Sequence, residues 1–523
     1  MIQAGTIPGL FRSHHWATIR NSMLEKTATI SFRRPQMTRF ELAKFVLGRS
    51  FYMMVVLLFL ESILTAATTY LIIKAGRDVA NDEFLTADLL WILAAQASAY
   101  VVGAISWIFA ERAGFGAFGR YMQRFARDNR HETKLLHEKG TREVVEPFLT
   151  GETFHIFFQL VYELEADLKL LFHLVLNVIV IGGEIDTTFP VAYAIVFVVL
   201  IGLQIMARKP VARANLENQR MTNRMTAQGY TAWDNVFAGN RYNLRLWLAG
   251  FKVRLRDALR AQVWAIMTRE GVSTLSGIIG LAAIFFVMVL VAVRNAGDTE
   301  ILVMLAAVLP RQIEMTKDVY TLASGWNDMV AVWARLGGAV DNMHPDPDAG
   351  YDARIKYDRL ILREEAESKT VDSLDAALKL VYSKDTGRIN VRGGNGSGKS
   401  TMLAALKASI KNRAYYWPTT DRLAFQFALG NEVADDDEGI DPELIAEAGE
   451  TPHHAEKPKV GFSSGERQLK SLQEIVRFTD AAVYLLDEWD ANLDPNNRAA
   501  ANALVEKLAS RARVIEISHR DAA

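Results

Sequence analysis

The sequence predicts two parts: an all-α membrane domain of six transmembrane helices, and a C-terminal α/β domain built around a phosphate-binding loop. Three observations predict this. The 523 residues are 50% hydrophobic and only 23% charged, which is rich in apolar residues for a soluble protein. Apolar runs long enough to cross about 30 Å of hydrocarbon recur through residues 49–336. A G-x-x-x-x-G-K-S segment follows at residues 393–400.

Composition excludes several classes of protein and site. The formal net charge is −1, so no overall charge favours nucleic acid as a partner. The chain contains no cysteine, which excludes disulfides, cysteine-ligated metals and a thiol nucleophile. The N-terminus has no short apolar core followed by a small-residue cleavage site, so we predict no removable signal peptide.

The first half of the chain reads as a membrane domain preceded by a basic arm. Residues 1–48 are predicted to form a cytoplasmic arm that ends in an interfacial helix near residues 37–47. Six apolar runs follow, and each predicts a transmembrane helix. They cover residues 51–73, 89–110, 170–183, 189–207, 271–293 and a stretch that begins at 301 and becomes amphipathic after Pro310.

The charges of the loops predict the orientation in the membrane. Basic residues crowd beside the two long loops, 111–169 and 208–270, whereas the short loops hold only Lys74, Arg77 and Arg294. By the positive-inside rule, the N-terminus, both long loops and everything after the sixth run are cytoplasmic. We therefore expect a multi-pass protein of the lipid bilayer, in a bacterial-type inner (cytoplasmic) membrane.

The two long loops keep a helical periodicity, so we expect the membrane helices to continue into the cytoplasm before the chain turns back. The candidate turning segments are 141–153 and 229–239. They are either ordinary helical hairpins at the membrane surface or coupling helices that press on the C-terminal domain.

Several polar residues interrupt the apolar runs. Glu61 could face a substrate cavity, or it could serve helix packing or reach the membrane surface. His173 and Asn177 lie one helical turn apart, and interhelical packing is the favoured interpretation. Arg311, Glu314 and Lys317 are spaced three apart in the sixth run, a pattern that favours a polar path.

After a linker at residues 337–357, residues 358–523 are predicted to form a compact nucleotide-binding domain. Residues 388–392 predict a strand and 402–407 begin a helix, so the glycine-rich segment has the strand, loop, helix context of a phosphate-binding loop. Its amide N–H groups and the helix dipole would converge on phosphate oxygens. The residues predicted to bind nucleotide here are Gly393, Asn395, Gly396, Ser397, Gly398, Lys399, Ser400 and Thr401. The alternative is a glycine-rich turn without nucleotide.

Chemistry at the phosphates needs a cation, a metal ligand and a group that activates water. Lys399 would neutralise the terminal phosphates, and Ser400 would hold Mg²⁺. The apolar strand 481–486 ends at Asp487 and Glu488, where an NTPase places one carboxylate for Mg²⁺ and one for the attacking water. A further strand, 514–518, delivers His519 at its end.

A second candidate anion site precedes these carboxylates. Ser463 is predicted to be the N-cap of a helix whose first residues are Ser464, Gly465 and Glu466. A helix start rich in serine and glycine favours bound anions. By itself this signal is weak, because many helices begin in this way.

The order of these motifs resembles that of the ATP-binding cassette transporters, whose cassettes have an α/β P-loop NTPase fold. Phe462 to Glu466 is similar to their signature, and Ala491 to Asp494 to the segment after their acidic pair. Six spans ahead of one cassette resemble an exporter-type half-transporter. The sequence Asp487-Glu488-Trp489, closed by Asp494-Pro495, is similar to that of exporters of cyclic peptides and peptide siderophores.

The resemblance implies a homodimer and a set of site roles. The loop of one protomer and Ser463, Ser464, Gly465 and Glu466 of the other would sandwich ATP. Glu488 would polarise water, and Asp487 would bind Mg²⁺ through water. Asp494 would cross the interface, and His519 would contact the γ-phosphate. These roles are implied by the family.

Two features of the family have no clear counterpart. The glutamine between the phosphate loop and the signature could be replaced by Thr419 or by Gln426. For the aromatic residue that stacks on adenine, Tyr382 is too close to the loop and Tyr357 is too far from it. The expected function is ATP-driven export of a peptide-like or other amphipathic compound. The alternatives are a membrane-bound sensor or regulatory ATPase, and an importer of the same architecture.

Overall fold

The computed structural model describes residues 37–83, 86–348, 350–365, 367–420, 422–429, 462–491 and 493–518, and it is 77% helical. Most of the predicted basic arm therefore lies outside the described residues. At its end a short helix, α1 (Arg39–Ala43), and a 3₁₀ turn (Lys44–Val46) occupy the place of the predicted interfacial helix. Residues Arg39–Ala523 form one compact unit.

Six long helices make up the first part of this unit, and each contains one of the predicted apolar runs. They are α2 (Arg49–Ala80), α3 (Thr86–Asn129), α5 (Thr153–Glu184), α6 (Thr188–Tyr230), α8 (Arg241–Arg294) and α9 (Thr299–Asp341). Between α3 and α5 lie a 3₁₀ turn (Thr133–His137), helix α4 (Lys139–Pro147) and a π-helical turn (Phe148–Glu152). The six-residue α7 (Ala232–Phe237) joins α6 to α8.

The prediction of six transmembrane helices is wrong. Among the described residues, only α2, α3, α8 and the stretch Thr188–Phe237 are long and apolar enough to cross a membrane, by length and composition. The apolar run of α5 covers only residues 170–183, and that of α9 is ended by Pro310 and Arg311. At about 1.5 Å per residue, neither run spans a hydrocarbon layer of about 30 Å. Four such helices are compatible with a membrane protein.

Ion pairs show which helix ends lie together. At the C-terminal end of α2, Arg77 pairs with Glu184 of α5 at 2.8 Å and with Glu300 of α9 at 2.9 Å. At the opposite end of α9, Arg335 pairs with Glu152, directly before α5, at 2.9 Å. The connections α2–α3, α5–α6 and α8–α9 therefore lie at one end of the helical bundle.

A six-stranded mixed sheet follows near the C-terminus, in the order β2-β1-β3-β6-β5-β4. The strands are β1 (Ile361–Glu364), β2 (Glu367–Lys369), β3 (Gly387–Arg392), β4 (Ala414–Trp417), β5 (Val483–Asp487) and β6 (Arg513–Ile517). β1 pairs antiparallel with β2 and β3, whereas β3, β6, β5 and β4 are parallel to one another. Helices α10 (Leu374–Val381), α11 (Lys399–Ile410), α12 (Gln426–Leu429), α13 (Ser464–Phe478) and α14 (Pro495–Ala509) complete this part.

The predicted fold class is wrong for this part too, because the described residues contain a small mixed sheet and no clear large P-loop domain. The strands hold only three to six residues each. Four of them run parallel to one another. Individual elements were predicted more accurately: β3 and β6 each begin one residue before their predicted start.

The small sheet is covered on both faces. Side chains alternate along a strand, so Val483 and Leu485 of β5 face one way and Tyr484 and Leu486 the other. The first pair packs in a core with Met402, Leu403 and Leu406 of α11. The second pair packs in a separate core with residues of α13 and α14, including Leu472, Ile475 and Val505. The carboxyl ends of the parallel strands are thereby fixed at one edge.

Candidate functional site

The glycine loop, residues 393–398, leads from β3 into α11 at this edge. Gly396 has a φ of +75° and Gly398, the N-cap of α11, has a φ of +89°. Both values lie in the left-handed region that glycine adopts readily. A Cβ atom on Gly398 would lie 2.6 Å from the carbonyl oxygen of Arg354. Glycine thus lets the loop turn tightly into the helix, with Asn395 in the loop and Thr401 in the first helical turn.

Two side chains at the start of α11 form hydrogen bonds next to the loop. The Lys399 Nζ atom donates to the carbonyl oxygen of Gly393 at 2.9 Å. The Ser400 hydroxyl donates to Oδ1 of Asp487 at 3.0 Å. The structure therefore joins the predicted phosphate-binding residues to the predicted metal-binding carboxylate, which are 87 residues apart in sequence.

Asp487 lies at the end of β5 and is 3% exposed. Burial raises the pKa of its carboxyl group to about 6, and the charge of Glu488 contributes in the same direction. Its Oδ2 atom has no hydrogen-bond partner among the described residues. A buried carboxylate oxygen without a donor favours a cation as its partner.

Glu488 follows in a strained backbone conformation, with a φ of +50°. Its N–H donates to the carbonyl oxygen of Ile517 on β6 at 3.0 Å, and Gln468 of α13 donates to the carbonyl oxygens of Glu488 and Trp489 at 3.2 and 2.7 Å. Left-handed backbone at a non-glycine residue persists only where neighbours hold it, and it is common at functional sites.

A buried network beneath this turn was not predicted from the sequence. Trp489 is 4% exposed and donates from Nε1 to Oε2 of Glu516 at 2.8 Å. Arg388 of β3 donates to both carboxylate oxygens of Glu516, at 2.7 and 2.9 Å. The sequence signal was the presence of Arg388 and Glu516 within two predicted strands, 388–392 and 514–518. The network anchors the residue that follows Glu488.

The signature residues form local contacts. Ser463 is the N-cap of α13, as predicted, and forms a capping box with Glu466. Its hydroxyl and its N–H both donate to Oε2 of Glu466 at 2.9 Å, while Ser464 and Gly465 form the first turn. Asp494 is the N-cap of α14 and accepts from the N–H groups of Asn496 and Asn497. These contacts hold two helix starts; they do not join the signature residues to the glycine loop.

The other predicted site residues lie in different places, and some of them are far from the glycine loop in their contacts. Thr419 lies near the end of β5, since its hydroxyl donates to the carbonyl oxygen of Asp487 at 3.4 Å. Gln426 begins α12, where its N–H donates to Glu474 at 2.6 Å. Tyr357 packs against the core of the sheet, and Tyr382 is 38% exposed. His519 lies outside the described residues.

The connection between α3 and α5 packs directly on the sheet. The Thr133 hydroxyl donates to the carbonyl oxygen of Ala404 in α11 at 2.8 Å. His137 shares a 2.9 Å hydrogen bond with the hydroxyl of Tyr416 on β4. Tyr416 is 8% exposed, and burial together with the charge of Asp487 raises its pKa. The long helices thus reach to within one side chain of Asp487.

The two predicted turning segments differ in their surroundings. Glu146, in the first segment, accepts from Arg422 at 2.9 Å, so this segment also touches the C-terminal part. In the second, Trp233 and Phe237 of α7 are 71% and 70% exposed.

The residues at the glycine loop fit a magnesium nucleotide. The first amide N–H groups of a twelve-residue helix are available to an anion, and the left-handed glycines shape the turn around them. The buried Ser397 hydroxyl, like Asp487 Oδ2, has no hydrogen-bond partner among the described residues. Ser400 and Asp487 supply two oxygen ligands, and Mg²⁺ normally takes the rest from phosphate and water. No group of three or more metal-binding side chains occurs in the described ranges.

None of the models of known protein families matches this chain, and no curated protein matches it. The resemblance to ATP-binding cassette transporters therefore depends on its motif residues alone.

Proposed function

We propose that this protein is a membrane-bound ATPase that binds Mg²⁺-ATP at the glycine loop and uses its hydrolysis to export an amphipathic, peptide-like compound. The observation that carries the proposal is the 3.0 Å contact between Ser400 and Asp487, at the end of a loop with two left-handed glycines. This arrangement suits a phosphorylated ligand with a divalent cation. The proposed activity does not require the six-span fold that the structure contradicts.

The chain's own groups have distinct roles in this reaction. Lys399 and the N–H groups at the start of α11 bind and orient the phosphates. Bound Mg²⁺ would neutralise charge that develops on the phosphate oxygens. Glu488, held by Ile517 and Gln468, lies directly after Asp487 and accepts a proton from the attacking water.

The proposed location of the protein in the cell follows from the apolar helices and from the charges beside them. Four apolar helices are compatible with a membrane. Because basic residues crowd the long connections, we propose a bacterial-type inner membrane with the sheet in the cytoplasm. By the motif resemblance, a second protomer would supply Ser463, Ser464, Gly465 and Glu466 to complete the ATP site, so the working form is a homodimer.

The test is Mg²⁺-dependent ATP hydrolysis by the purified protein in lipid nanodiscs. We expect Glu488→Gln to lower kcat by about 100-fold or more while ATP binding remains, since general-base groups contribute on that order. Glu367→Gln is the matched control, because it makes the same chemical change on β2 at a residue whose side chain is 76% exposed. Hydrolysis that survives in Glu488→Gln would remove its assigned role, and a parent protein without hydrolysis would overturn the ATPase assignment.

A further inference from the structure

Polar side chains line the contact between α2, α5 and α9 at four-residue intervals. On α2 they are Glu61, Thr65 and Thr69; on α5, Glu165, Lys169, His173 and Asn177; on α9, Arg311, Glu314 and Asp318, spaced three and four apart. Residues four apart share one face of a helix, so each helix presents one polar stripe. α5 and α9 are also the two long helices that are not apolar enough to cross a membrane by composition.

The three stripes contact one another. Lys169 pairs with Oε1 of Glu61 at 2.7 Å, and His173 Nδ1 lies 3.0 Å from Asp318. Arg311 donates to the Thr69 hydroxyl at 2.9 Å and to the carbonyl oxygen of Thr65 at 3.1 Å. Thr69 also bonds to Asn177, and both residues are fully buried. We call these residues the polar cluster.

The polar cluster holds more negative than positive charge. Lys169 is matched by Glu61, and Arg311 by Glu314 at 2.6 Å. Glu165, 9% exposed, and Asp318 then remain without a lysine or arginine of their own within the cluster; Asp318 has only His173. Lys317, the next basic residue of α9, is exposed. Buried carboxylates in excess of cations are expensive in an apolar surrounding.

A second observation independently points to a ligand. Glu61 is 8% exposed, and its Oε2 atom has no hydrogen-bond partner among the described residues. A Cβ atom on Gly103 of α3 would lie 2.8 Å from Oε1 of Glu61, so the glycine leaves room for the carboxylate. The Lys169 side chain is 44% exposed and can move away from its partner. The site therefore offers one vacant acceptor oxygen beside a replaceable ammonium group.

The acidic excess continues on the same helices. Asp167 of α5 lies against α9, because a Cβ atom on Gly325 would meet its carboxylate, and Asp328 lies on the same helix. Arg269 of α8 pairs with Asp328 at 3.1 Å. Arg269 also pairs with the neighbouring Glu270 at 3.2 Å, so the carboxylates named here outnumber this one cation.

We propose that the polar cluster is a recognition site for the ammonium or guanidinium groups of a cationic cargo, with Glu61 as the residue that binds them. This rests on the proposed export function and narrows its substrate class to positively charged amphipathic peptides. A cargo cation displaces Lys169 from Glu61 and adds a donor to the vacant Oε2 atom. Glu165 and Asp318 supply the remaining negative charge.

The test measures peptide binding to the full-length protein in phosphatidylcholine nanodiscs, without nucleotide, by fluorescence anisotropy. The probes are two fluorescein-labelled amphipathic hexapeptides that differ only in carrying three lysines or three glutamates. The neutral headgroup keeps either peptide from binding the lipid through charge. We expect the lysine peptide to bind and the glutamate peptide to bind at least tenfold more weakly.

Glu61→Gln should weaken binding of the lysine peptide about tenfold, which is the effect of removing one hydrogen bond to a charged group. Glu165→Gln should weaken binding while Lys169 and Glu61 are both retained, so it tests the site even if Glu61→Gln folds poorly. Glu217→Gln, an exposed change on α6, is the matched control and should bind as the parent does.

Three results would overturn the proposal: equal binding of the two peptides, no binding of either, or unchanged binding in both Glu61→Gln and Glu165→Gln. Because no nucleotide is present, the outcome is independent of ATP hydrolysis. A parent that binds the lysine peptide but never hydrolyses ATP would contradict the proposed ATPase and leave cation recognition supported.

Discussion

At the scale of single residues, the largest of the fully buried side chains among the described residues carries a charge. Arg513 of β6 is 1% exposed and donates from Nη1 to Oε1 of Glu364 on β1 at 2.7 Å. Glu364 is itself 5% exposed and also pairs with Lys384 at 2.9 Å. This buried pair joins the antiparallel edge of the sheet to its parallel centre. Breaking such a pair from one side leaves the other charge without compensation.

The hydrogen bond from Arg513 holds the pKa of Glu364 at about 2, below its usual 4.5. The folded state therefore prefers the ionised carboxylate. Its contribution to stability is complete above pH 4.5 and is lost as the pH falls through 2. We expect Glu364→Gln to lower the free energy of unfolding by about 3 kcal/mol at pH 7, measured by chemical unfolding in detergent.

The difference between parent and Glu364→Gln should shrink as the pH is lowered from 4.5 towards 2, because the parent carboxylate then becomes protonated as well. Glu367→Gln, on the exposed strand β2, should change the free energy of unfolding by less than about 0.5 kcal/mol. A difference that stayed constant over this pH range would show that the ionised carboxylate is not the source of the stability.

Residue types could be predicted at this scale where a local rule applies. Ser463 as an N-cap and glycine in the loop follow from backbone chemistry that a short segment contains. The partners of Glu516 could not be predicted, because they come from elements up to 128 residues away. Nothing near Trp489 in the sequence indicates that its indole N–H needs a buried carboxylate.

At the scale of elements, the connection from α3 to α5 is the part of the helical bundle that reaches the candidate site. Its 3₁₀ turn contacts α11 through Thr133 and β4 through His137. Burial lowers the pKa of His137, so its imidazole is neutral at pH 7. A neutral His137 and Tyr416 are joined by one hydrogen bond, and Tyr416 faces Asp487. A movement of this connection therefore reaches Asp487 through the side chain of Tyr416.

We expect His137→Ala to lower kcat for ATP hydrolysis about fivefold with the KM for ATP unchanged, which corresponds to a typical single hydrogen bond. Thr133→Ala is the matched control. It removes one hydrogen bond from the same turn, to the backbone of Ala404 rather than towards Asp487, and should leave kcat within about twofold. Equal losses in the two variants would indicate that this contact only attaches the turn to the sheet.

The sequence predicted elements better than their assembly. The strand before the glycine loop and the helical nature of all six apolar runs follow from local sequence patterns. The number of helices able to cross a membrane and the size of the sheet do not follow from local patterns. A hydropathy run reports one helix at a time, so the polar stripes of α5 and α9 could be seen only as interruptions. Their contacts with α2 show that these residues face one another inside the helical bundle.

At the scale of the whole molecule, the ends of the long helices define two faces. The connections near Asn81, Asp186 and Asn295 lie together, because Arg77 pairs with Glu184 and Glu300, and Arg294 with Asp186 at 3.9 Å. The far ends of α3 and α9 meet where Asn129 donates to the carbonyl oxygen of Met343 at 2.9 Å. The sheet packs beside this second end. α6 starts at the first face and is 43 residues long, so α7, which follows its C-terminal end, lies at the second face.

This arrangement predicts that Asn81 and Asp234 are on opposite sides of the membrane, with Asp234 on the same side as the sheet. The chain contains no cysteine, so single-cysteine variants can be labelled without background. We expect a membrane-impermeant maleimide to label Asn81→Cys in right-side-out vesicles and Asp234→Cys in inverted vesicles. Both native residues are exposed. Glu367→Cys, on the exposed edge of the sheet, should behave as Asp234→Cys does. Labelling of Asn81→Cys and Asp234→Cys from the same side would contradict the arrangement of the helices across the membrane.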